Sequence, residues 1–410
     1  VTTIFYETFP VASMHFEGQW RLDYDSSWLA RRSAFPVSLT MPLQDGPFDG
    51  SVLLPWLSNL LPENHLSEIG QRLKVSPQDI VGLLEHIGRD TAGALSIGKA
   101  RKKGISLQPI PGMEALERIL NDLQAKPFLV GEKGVSMSLA GVQEKLPVYL
   151  DDSGEFSIAL DGSPSTHIIK PDSPRLAGSV ENEAFCLALA AACGLDAAQA
   201  EIGVVGARRF LLVRRYDRFT DASGELRRLH QEDLCQLTGH FPAQKYERSS
   251  TGGGATLKMM FDAINDHVSP GERVKLLDGV IFNVLICNSD SHAKNYSILI
   301  GAQGSAKLAP LYDLMCAGVY QQVDQSLAQS INGCFMAVEL HGDDWRKLAE
   351  NVGLSGASTL RRVAELADLV ASKCEETSKQ VSDAHGDPTR VLERVTHAIE
   401  KRCKRILRQL

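Results

Sequence analysis

Asn288-Ser289-Asp290-Ser291-His292-Ala293-Lys294-Asn295 is the stretch whose reading decides the fold. Four residues separate Asp290 from Asn295, which is D-x-x-x-x-N spacing. In phosphotransferase loops of this form the carboxylate orients an acceptor hydroxyl and takes its proton, while the carboxamide holds a magnesium ion. A loop this short lets both side chains face one cleft. Asp and Asn are also ordinary turn formers, so the spacing alone carries little weight and its neighbours must decide.

Working outward, Val274 to Cys287 has the spacing of a helix that runs into the loop. On the far side, Tyr296 to Ile300, the Gly301-Ala302-Gln303-Gly304 turn and Ala306-Lys307-Leu308 predict a hairpin leading to Leu311-Tyr312-Asp313. Helix, loop, short hairpin and a lone Asp is the order of parts in a protein-kinase-like active site. Asp313 then takes the part of the aspartate that coordinates Mg²⁺ across the β- and γ-phosphates of ATP.

Upstream, Lys170 closes the apolar strand Ile168-Ile169-Lys170 before Pro171. From a strand a lysine can project into a cleft and pair with the α- and β-phosphates, or it can simply snorkel from a sheet edge. Glu181 and Glu183, at the start of the next helix, are both candidates to steady Lys170 or to cap that helix. In Ser136-Met137-Ser138-Leu139-Ala140-Gly141-Val142-Gln143-Glu144-Lys145, small residues at 138, 140 and 141 allow backbone N–H groups close to an anion, although an ordinary turn has the same look. Gly252-Gly253-Gly254 reads equally as a substrate-facing loop or a surface linker.

Three regions follow from changes in pattern. Residues 1–110 begin with strand-like alternation and end in helix, with Ile80, Leu83, Leu84 and Ile87 at helical spacing before Gly88. Residues 111–216 hold the short strands Leu146 to Leu150, Phe156 to Leu160, His167 to Lys170 and Arg209 to Arg215, with a helix from Val180 to Cys193 that stops at Gly194. Residues 217–410 are mainly helical, with helices over Trp345 to Val352, Thr359 to Lys379 and Pro388 to Leu410, the last capped by Asp387 with Pro388 in its first turn. The fold class expected is α/β (α+β), a two-lobed protein-kinase-like fold with an N-terminal α/β subdomain and a helical C-terminal lobe.

With 410 residues, 43% of them hydrophobic, the chain can bury real cores. Its 43 Lys and Arg against 50 Asp and Glu give a net charge of -7, so no global attraction to nucleic acid or anionic membrane exists. The basic end Lys401-Arg402-Cys403-Lys404-Arg405 offers local phosphate contact or a solvated helix face. No apolar run approaches about 18 residues and Val1 to Phe9 lacks the form of a secretory signal, which reads as cytoplasmic. The eight cysteines are scattered without a CxxC pair and are expected as buried free thiols.

Ser138-Leu-Ala-Gly-Val-Gln-Glu-Lys145, Thr166-His-Ile-Ile-Lys170, Glu181-Asn-Glu-Ala-Phe-Cys186, Val213-Arg-Arg-Tyr-Asp-Arg-Phe219, Leu229-His-Gln-Glu-Asp-Leu-Cys-Gln236 and Asp290-Ser-His-Ala-Lys-Asn295 together resemble the HipA family. Pro36-Val-Ser-Leu, Asn59-Leu-Leu-Pro62 and Ile87-Gly-Arg-Asp-Thr-Ala-Gly93 look like that family's N-terminal subdomain. The resemblance covers most of the chain, with the motifs in the family's order. It implies a bacterial serine/threonine kinase toxin of a type II toxin–antitoxin pair, neutralised by a DNA-binding HipB antitoxin through which operator DNA is met, and linked to growth arrest and persistence. Its protein substrates are aminoacyl-tRNA synthetases, glutamyl-tRNA synthetase first among them.

Carried onto this chain, the resemblance makes Asp290 the catalytic base, Asn295 and Asp313 the Mg²⁺ ligands, and Lys170 a phosphate contact. It makes the main chain at Arg214 and Tyr216 the adenine hinge, and His292, Lys294 and Tyr312 nearby nucleotide contacts. Ala140, Gly141, Val142 and Gln143 form the phosphate-covering loop, and Ser138 is the serine whose self-phosphorylation ejects that loop and switches the kinase off. Two positions depart from the pattern: Ser291 replaces a Gly and Arg214 replaces an expected Glu. Neither removes a ligand. The rival readings are a small-molecule phosphotransferase with the same Asp and Asn spacing, and a non-catalytic, HipB-binding co-repressor.

Overall fold

The computed structural model describes residues 1–123, 125–141, 143–250 and 252–410. At the N-terminus, strands Thr2–Tyr6, Phe9–Phe16 and Trp20–Tyr24 put alternate apolar residues such as Ile4, Met14 and Leu22 into a core. They join Phe48–Asp49 and Leu95–Ile97 in one antiparallel sheet. Helix Gly50–Ser58, capped by Asp49, and helix Ile80–Ile87, capped by Asp79, turn Trp56, Leu57, Leu83 and Leu84 inward. The second is the helix whose periodicity ends at Gly88.

A six-stranded antiparallel sheet follows, in the order Ala200–Val205, Arg208–Arg214, His167–Pro171, Leu146–Leu150, Phe156–Leu160, Ser106–Pro109. The Leu146–Leu150 and Phe156–Leu160 hairpin forms across Asp151, whose carboxylate accepts from the backbone of Ser153 and Glu155 at 2.9 Å each. Helix Ser179–Ala192 packs on this sheet through Phe185 and Leu189, and ends as the Gly194 signal predicts, with Gly194 left-handed at φ 76°.

The remainder is mostly helical, built on Pro270–Leu285, Gly342–Asn351, Gly356–His385 and Val391–Gln409. Pro270 occupies the first turn of its helix, where its missing N–H costs nothing, so that helix starts earlier than periodicity alone suggests. The last helix departs from expectation. Arg390 is left-handed at φ 50°, so the helix begins at Val391 and Pro388 lies outside it. Asp387 still caps it, accepting from the Val391 and Leu392 N–H groups at 3.0 and 2.9 Å.

A small sheet of His230–Asp233, Ser297–Ile300 and Ala306–Leu308 realises the predicted hairpin after Asn295. The Leu311 N–H donates to the Asp196 carbonyl and the Leu311 carbonyl accepts from the Ala198 N–H, both at 2.8 Å, which ties the segment before Asp313 to the stretch that follows helix Ser179–Ala192. The glycine run is neither linker nor open loop. Arg248–Ser249 pairs with Gly252–Gly253, and a Cβ on Gly254 would lie 1.8 Å from the Tyr246 carbonyl oxygen. All eight cysteines are free, and only Cys334 is less than buried. Among the described residues no helix is long and apolar enough to cross a membrane.

Candidate active site

Three motifs of the N-terminal unit dock onto the rest of the chain, and two of them, through Asn59 and Ala92, reach one cleft. Asp90 ion-pairs with Arg218 at 2.7 Å and Arg228 at 3.2 Å, and Asp217 accepts from the Gly93 N–H at 2.8 Å. Arg215 lies between the two carboxylates, and all of these side chains are buried. Buried charges survive only when paired and hydrogen-bonded, so this network fastens the 87–93 segment to the strand end that carries Tyr216. Burial pushes the Asp217 carboxyl up, but Arg215 and then Arg218 hold it far below the usual carboxylate range.

The cleft lies between the six-stranded sheet and the 288–295 segment. Its inner walls are apolar, from Ile168, Ala198 and Val213 together with Tyr216 and Tyr312, whose rings stand 5.8 Å apart. Such a slot suits a flat base. The lining also carries polar side chains, among them Lys145, Lys170, His292, Lys294, Asn295 and Asp313. Arg214 and Tyr216 line the cleft. The Arg214 side chain is exposed and reaches Gln199 Oε1 at 3.3 Å, away from the lining.

Lys170 resolves the choice left open between two glutamates. Its Nζ donates to Glu183 Oε1 at 2.6 Å and to Asp313, while Glu181 pairs with Arg209. Burial alone would lower the Lys170 pKa, but Asp313 and then Glu183 raise it above the ordinary lysine value, so the ammonium is held charged. A second lysine, Lys145, also lines the cleft, a role that its place at the end of the 136–145 motif does not signal. Its Nζ donates to the Ala140 carbonyl oxygen at 2.8 Å, and burial lowers its pKa to about 8. Gly141 sits at φ 103°, and a Cβ there would come within 2.7 Å of that nitrogen.

Ala140 and Gly141 line the cleft, whereas Gln143 is exposed and faces a smaller pocket beside Pro62 and Phe128. Val142 falls outside the described residues. Ser138 is fully buried, donating to the Leu60 carbonyl oxygen at 2.7 Å, and the Glu63 N–H donates to the Gly141 carbonyl at 3.4 Å. The loop is thus fastened in place by residues 60 to 63. Neither Asn59 nor Glu63 was foreseen in the cleft, yet both line it.

Asp290 and Asn295 are tied within the segment, but only Asn295 lines the cleft; the Asp290 side chain faces a neighbouring groove, so the expectation that both face one cleft is not met. The Asn295 Nδ2 donates to the Asp290 carbonyl oxygen at 2.8 Å, which leaves its carboxamide oxygen free of that bond. The Asp290 carboxylate accepts from the Tyr246 hydroxyl, and burial raises its pKa above the ordinary aspartate value. Asp313 is left-handed at φ 51°, held by Asn288 Nδ2 on its carbonyl at 3.2 Å. Tyr312 donates its hydroxyl to the Lys294 carbonyl at 2.6 Å. Burial, followed by the charges of Lys245 and Lys294, drives the His292 pKa well below the usual value and so favours the neutral ring, and among the described residues its buried Nδ1 has no hydrogen-bond partner.

Among the described residues no group of three or more His, Cys, Asp or Glu side chains could hold a metal by itself. Asn295 and Asp313 instead supply two hard oxygen donors in the lining of the cleft. That fits Mg²⁺, which keeps several waters and phosphate oxygens and takes only one or two protein ligands.

Comparison with known proteins gives consistent results. The HipA N-terminal domain family matches residues 2–98 and the HipA-like C-terminal domain family matches residues 137–378. A putative kinase of Sinorhizobium fredii, Y4mE, is 37% identical over 90% of this chain and 89% of its own length. The serine/threonine-protein kinase toxin HipA of Shewanella oneidensis is 29% identical over 94% of this chain and 90% of its own. A solved chain from the complex of HipA, HipB and operator DNA from the same organism superimposes with a TM-score of 0.86 at 26% identity, covering 99% of this chain and 97% of that one.

Proposed function

This chain belongs to the HipA family, a family of kinases that includes a serine/threonine kinase toxin, and from that membership and the geometry of the cleft we propose that it transfers the γ-phosphoryl group of ATP to a serine of another protein. The observation that carries the reading is that Lys170, in contact with Asp313, and Asn295 line the same cleft as Ile168, Val213 and the rings of Tyr216 and Tyr312, which suit a planar base.

In this reading Tyr216, Tyr312, Ile168 and Val213 hold the adenine, with hinge contacts from the main chain at Arg214 and Tyr216. Lys170, kept charged by Glu183, orients the phosphates, Lys145 and the loop at Ala140 and Gly141 close over them, and Lys294, held by Asn59 and Asp233, stands beside the nucleotide. Mg²⁺, held by Asn295 and Asp313, neutralises phosphate charge when bound. Asp290 accepts the proton of the serine Oγ as that oxygen bonds to the γ-phosphorus. The bond to the β,γ-bridging oxygen breaks, and ADP leaves with its electron pair. Catalysis is then chiefly positioning and charge stabilisation.

The relative whose structure matches is in complex with HipB and operator DNA. By that likeness the chain is a toxin restrained by a HipB-like antitoxin that makes most of the DNA contact, and its release arrests growth. The acceptor class expected is an aminoacyl-tRNA synthetase, with glutamyl-tRNA synthetase the first to try. Self-phosphorylation at Ser138 would be its off switch.

The test is incubation with labelled ATP and Mg²⁺, alone and with cell lysate. Label on Ser138 and on a discrete lysate protein supports the reading. Label confined to small metabolites replaces it with the small-molecule phosphotransferase, and no label on any acceptor removes the enzyme.

A further inference from the structure

Asp290 does not line the nucleotide cleft. It lines a separate groove of about 510 Å³, with Tyr246, whose hydroxyl donates to it, at the same wall. Leu176, Met315, Leu327 and Phe335 give the groove an apolar end. Arg248 is exposed along it, with its guanidinium carbon 3.6 Å from the centre of the Phe335 ring. Among the described residues Arg248 forms no ion pair. Asp324, the groove's other carboxylate, is engaged by the Ser326 N–H at 2.9 Å.

The groove is built rather than incidental. Glu247 accepts from the Ser330 N–H at 2.6 Å and from its hydroxyl at 2.8 Å, and the Glu247 N–H donates to the Ala328 carbonyl at 3.0 Å. Gln329 Nε2 donates to the Lys245 carbonyl at 2.8 Å. Residues 245–247 are therefore fastened to 328–330, which fixes where Arg248 stands relative to Asp290. Asp324 is near enough to feel the Arg248 charge but forms no salt bridge with it, so the stacked guanidinium keeps N–H groups for an incoming carboxylate.

We propose that this groove takes an extended segment of the acceptor protein. Its serine hydroxyl replaces the Tyr246 hydroxyl at Asp290. One flanking apolar side chain seats among Leu176, Met315, Leu327 and Phe335, and one flanking acidic side chain pairs with Arg248. This rests on the kinase reading and adds to it the kind of sequence phosphorylated.

A positional library of serine peptides, incubated with the full chain and Mg²⁺-ATP, tests it. Acidic residues should be selected at one position and apolar residues at another. Arg248→Glu should reverse the charge preference at that position and raise KM for the acidic peptide about tenfold, with kcat within about threefold and KM for ATP unchanged. An unchanged charge preference in the variant overturns the groove assignment while the kinase stands. So does labelling of Ser138 without labelling of any peptide. Absence of transfer to every acceptor, Ser138 included, removes the kinase reading itself and the groove with it.

Discussion

Lys294 Nζ donates to the Asn59 side-chain oxygen at 2.7 Å and to the Asn59 carbonyl oxygen at 3.1 Å, so a residue of the N-terminal unit holds a lysine of the 288–295 segment inside the cleft. A third partner, Asp233, stands at 3.2 Å. The N-terminal unit is therefore part of the cleft rather than an appendage to it. Asn59→Ala removes one acceptor from a buried ammonium, which costs about 1–3 kcal/mol. Thermal unfolding should show a lowered Tm, and KM for ATP should rise. A variant with wild-type KM for ATP would detach Asn59 from the site.

The two glutamates at the start of helix Ser179–Ala192 should separate in kinetics. Glu183→Gln leaves Lys170 with Asp313 as its charged partner, so we expect kcat to fall by about 10²-fold. Glu181→Gln instead leaves the Arg209 guanidinium without its carboxylate, and neither residue lines the cleft. It should lower Tm with kcat preserved. Single-turnover transfer and calorimetric melting on both variants decide, and equal loss of kcat in the two would contradict the assignment.

Asp290→Gln or Asp313→Ala should abolish phosphoryl transfer and growth arrest, with the fold and HipB binding intact. The acid limb of the rate profile carries a further expectation. Burial raises the Asp290 pKa, and only its carboxylate form can take the serine proton. The rate should therefore fall as pH drops through a midpoint above the ordinary aspartate value of about 3.9. An acid limb at that ordinary value would argue against Asp290 as the base.

Much of this site is legible because its chemistry is local. Asp290 to Asn295 is one short segment, and the hairpin to Asp313 has its own turn signals. The alternation of Leu146 to Leu160 likewise needs no tertiary information. What periodicity cannot give is contact between distant segments. Pro36-Val-Ser-Leu, Asn59 to Pro62 and Ile87 to Gly93 carry family resemblance without any local sign that they meet Glu232, Lys294 and Asp217 respectively. Tyr246 and Lys245 carried no signal at all, because their roles come from the hairpin that Gly254 allows. Pro388 misled for a related reason: a left-handed Arg390 intervenes, and arginine does not advertise that conformation.

Ser138 is buried without any room for charge, with its N–H given to the Asp90 carbonyl at 2.9 Å and its hydroxyl to Leu60. A phosphate there adds a charge of about -1.5 to -2, which this site cannot solvate. Phosphorylation should therefore expel the 136–145 segment. Ser138→Ala should abolish self-labelling, and Ser138→Asp should mimic expulsion, with ATP affinity lost and new protease cleavage between Lys133 and Lys145. Retention of ATP binding by Ser138→Asp would show that the loop tolerates the charge.

Glu232 and His230, on one strand, should give stability a pH dependence that a single substitution exposes. Ser38 Oγ donates to Glu232 at 2.6 Å and the Leu39 N–H at 2.9 Å, while burial raises its pKa from 4.5 to about 7. The folded state then binds the extra proton between those values, so the Glu232 contribution is largest at low pH and is lost as pH rises to about 7. His230 Nε2 donates to the Val37 carbonyl at 2.8 Å, and burial lowers its pKa from 6.5 to about 4. Its contribution has the opposite sign, present above 6.5 and lost as pH falls toward 4. The two oppose each other across most of one window. Glu232→Gln keeps an oxygen for the Leu39 N–H and removes only the acidic term. Denaturant titrations at pH 4.5 and pH 7 should show the variant gaining on the wild type as pH rises, by up to about 3 kcal/mol. A difference that does not change with pH would mean that Glu232 titrates normally and that its burial between the two units is overstated.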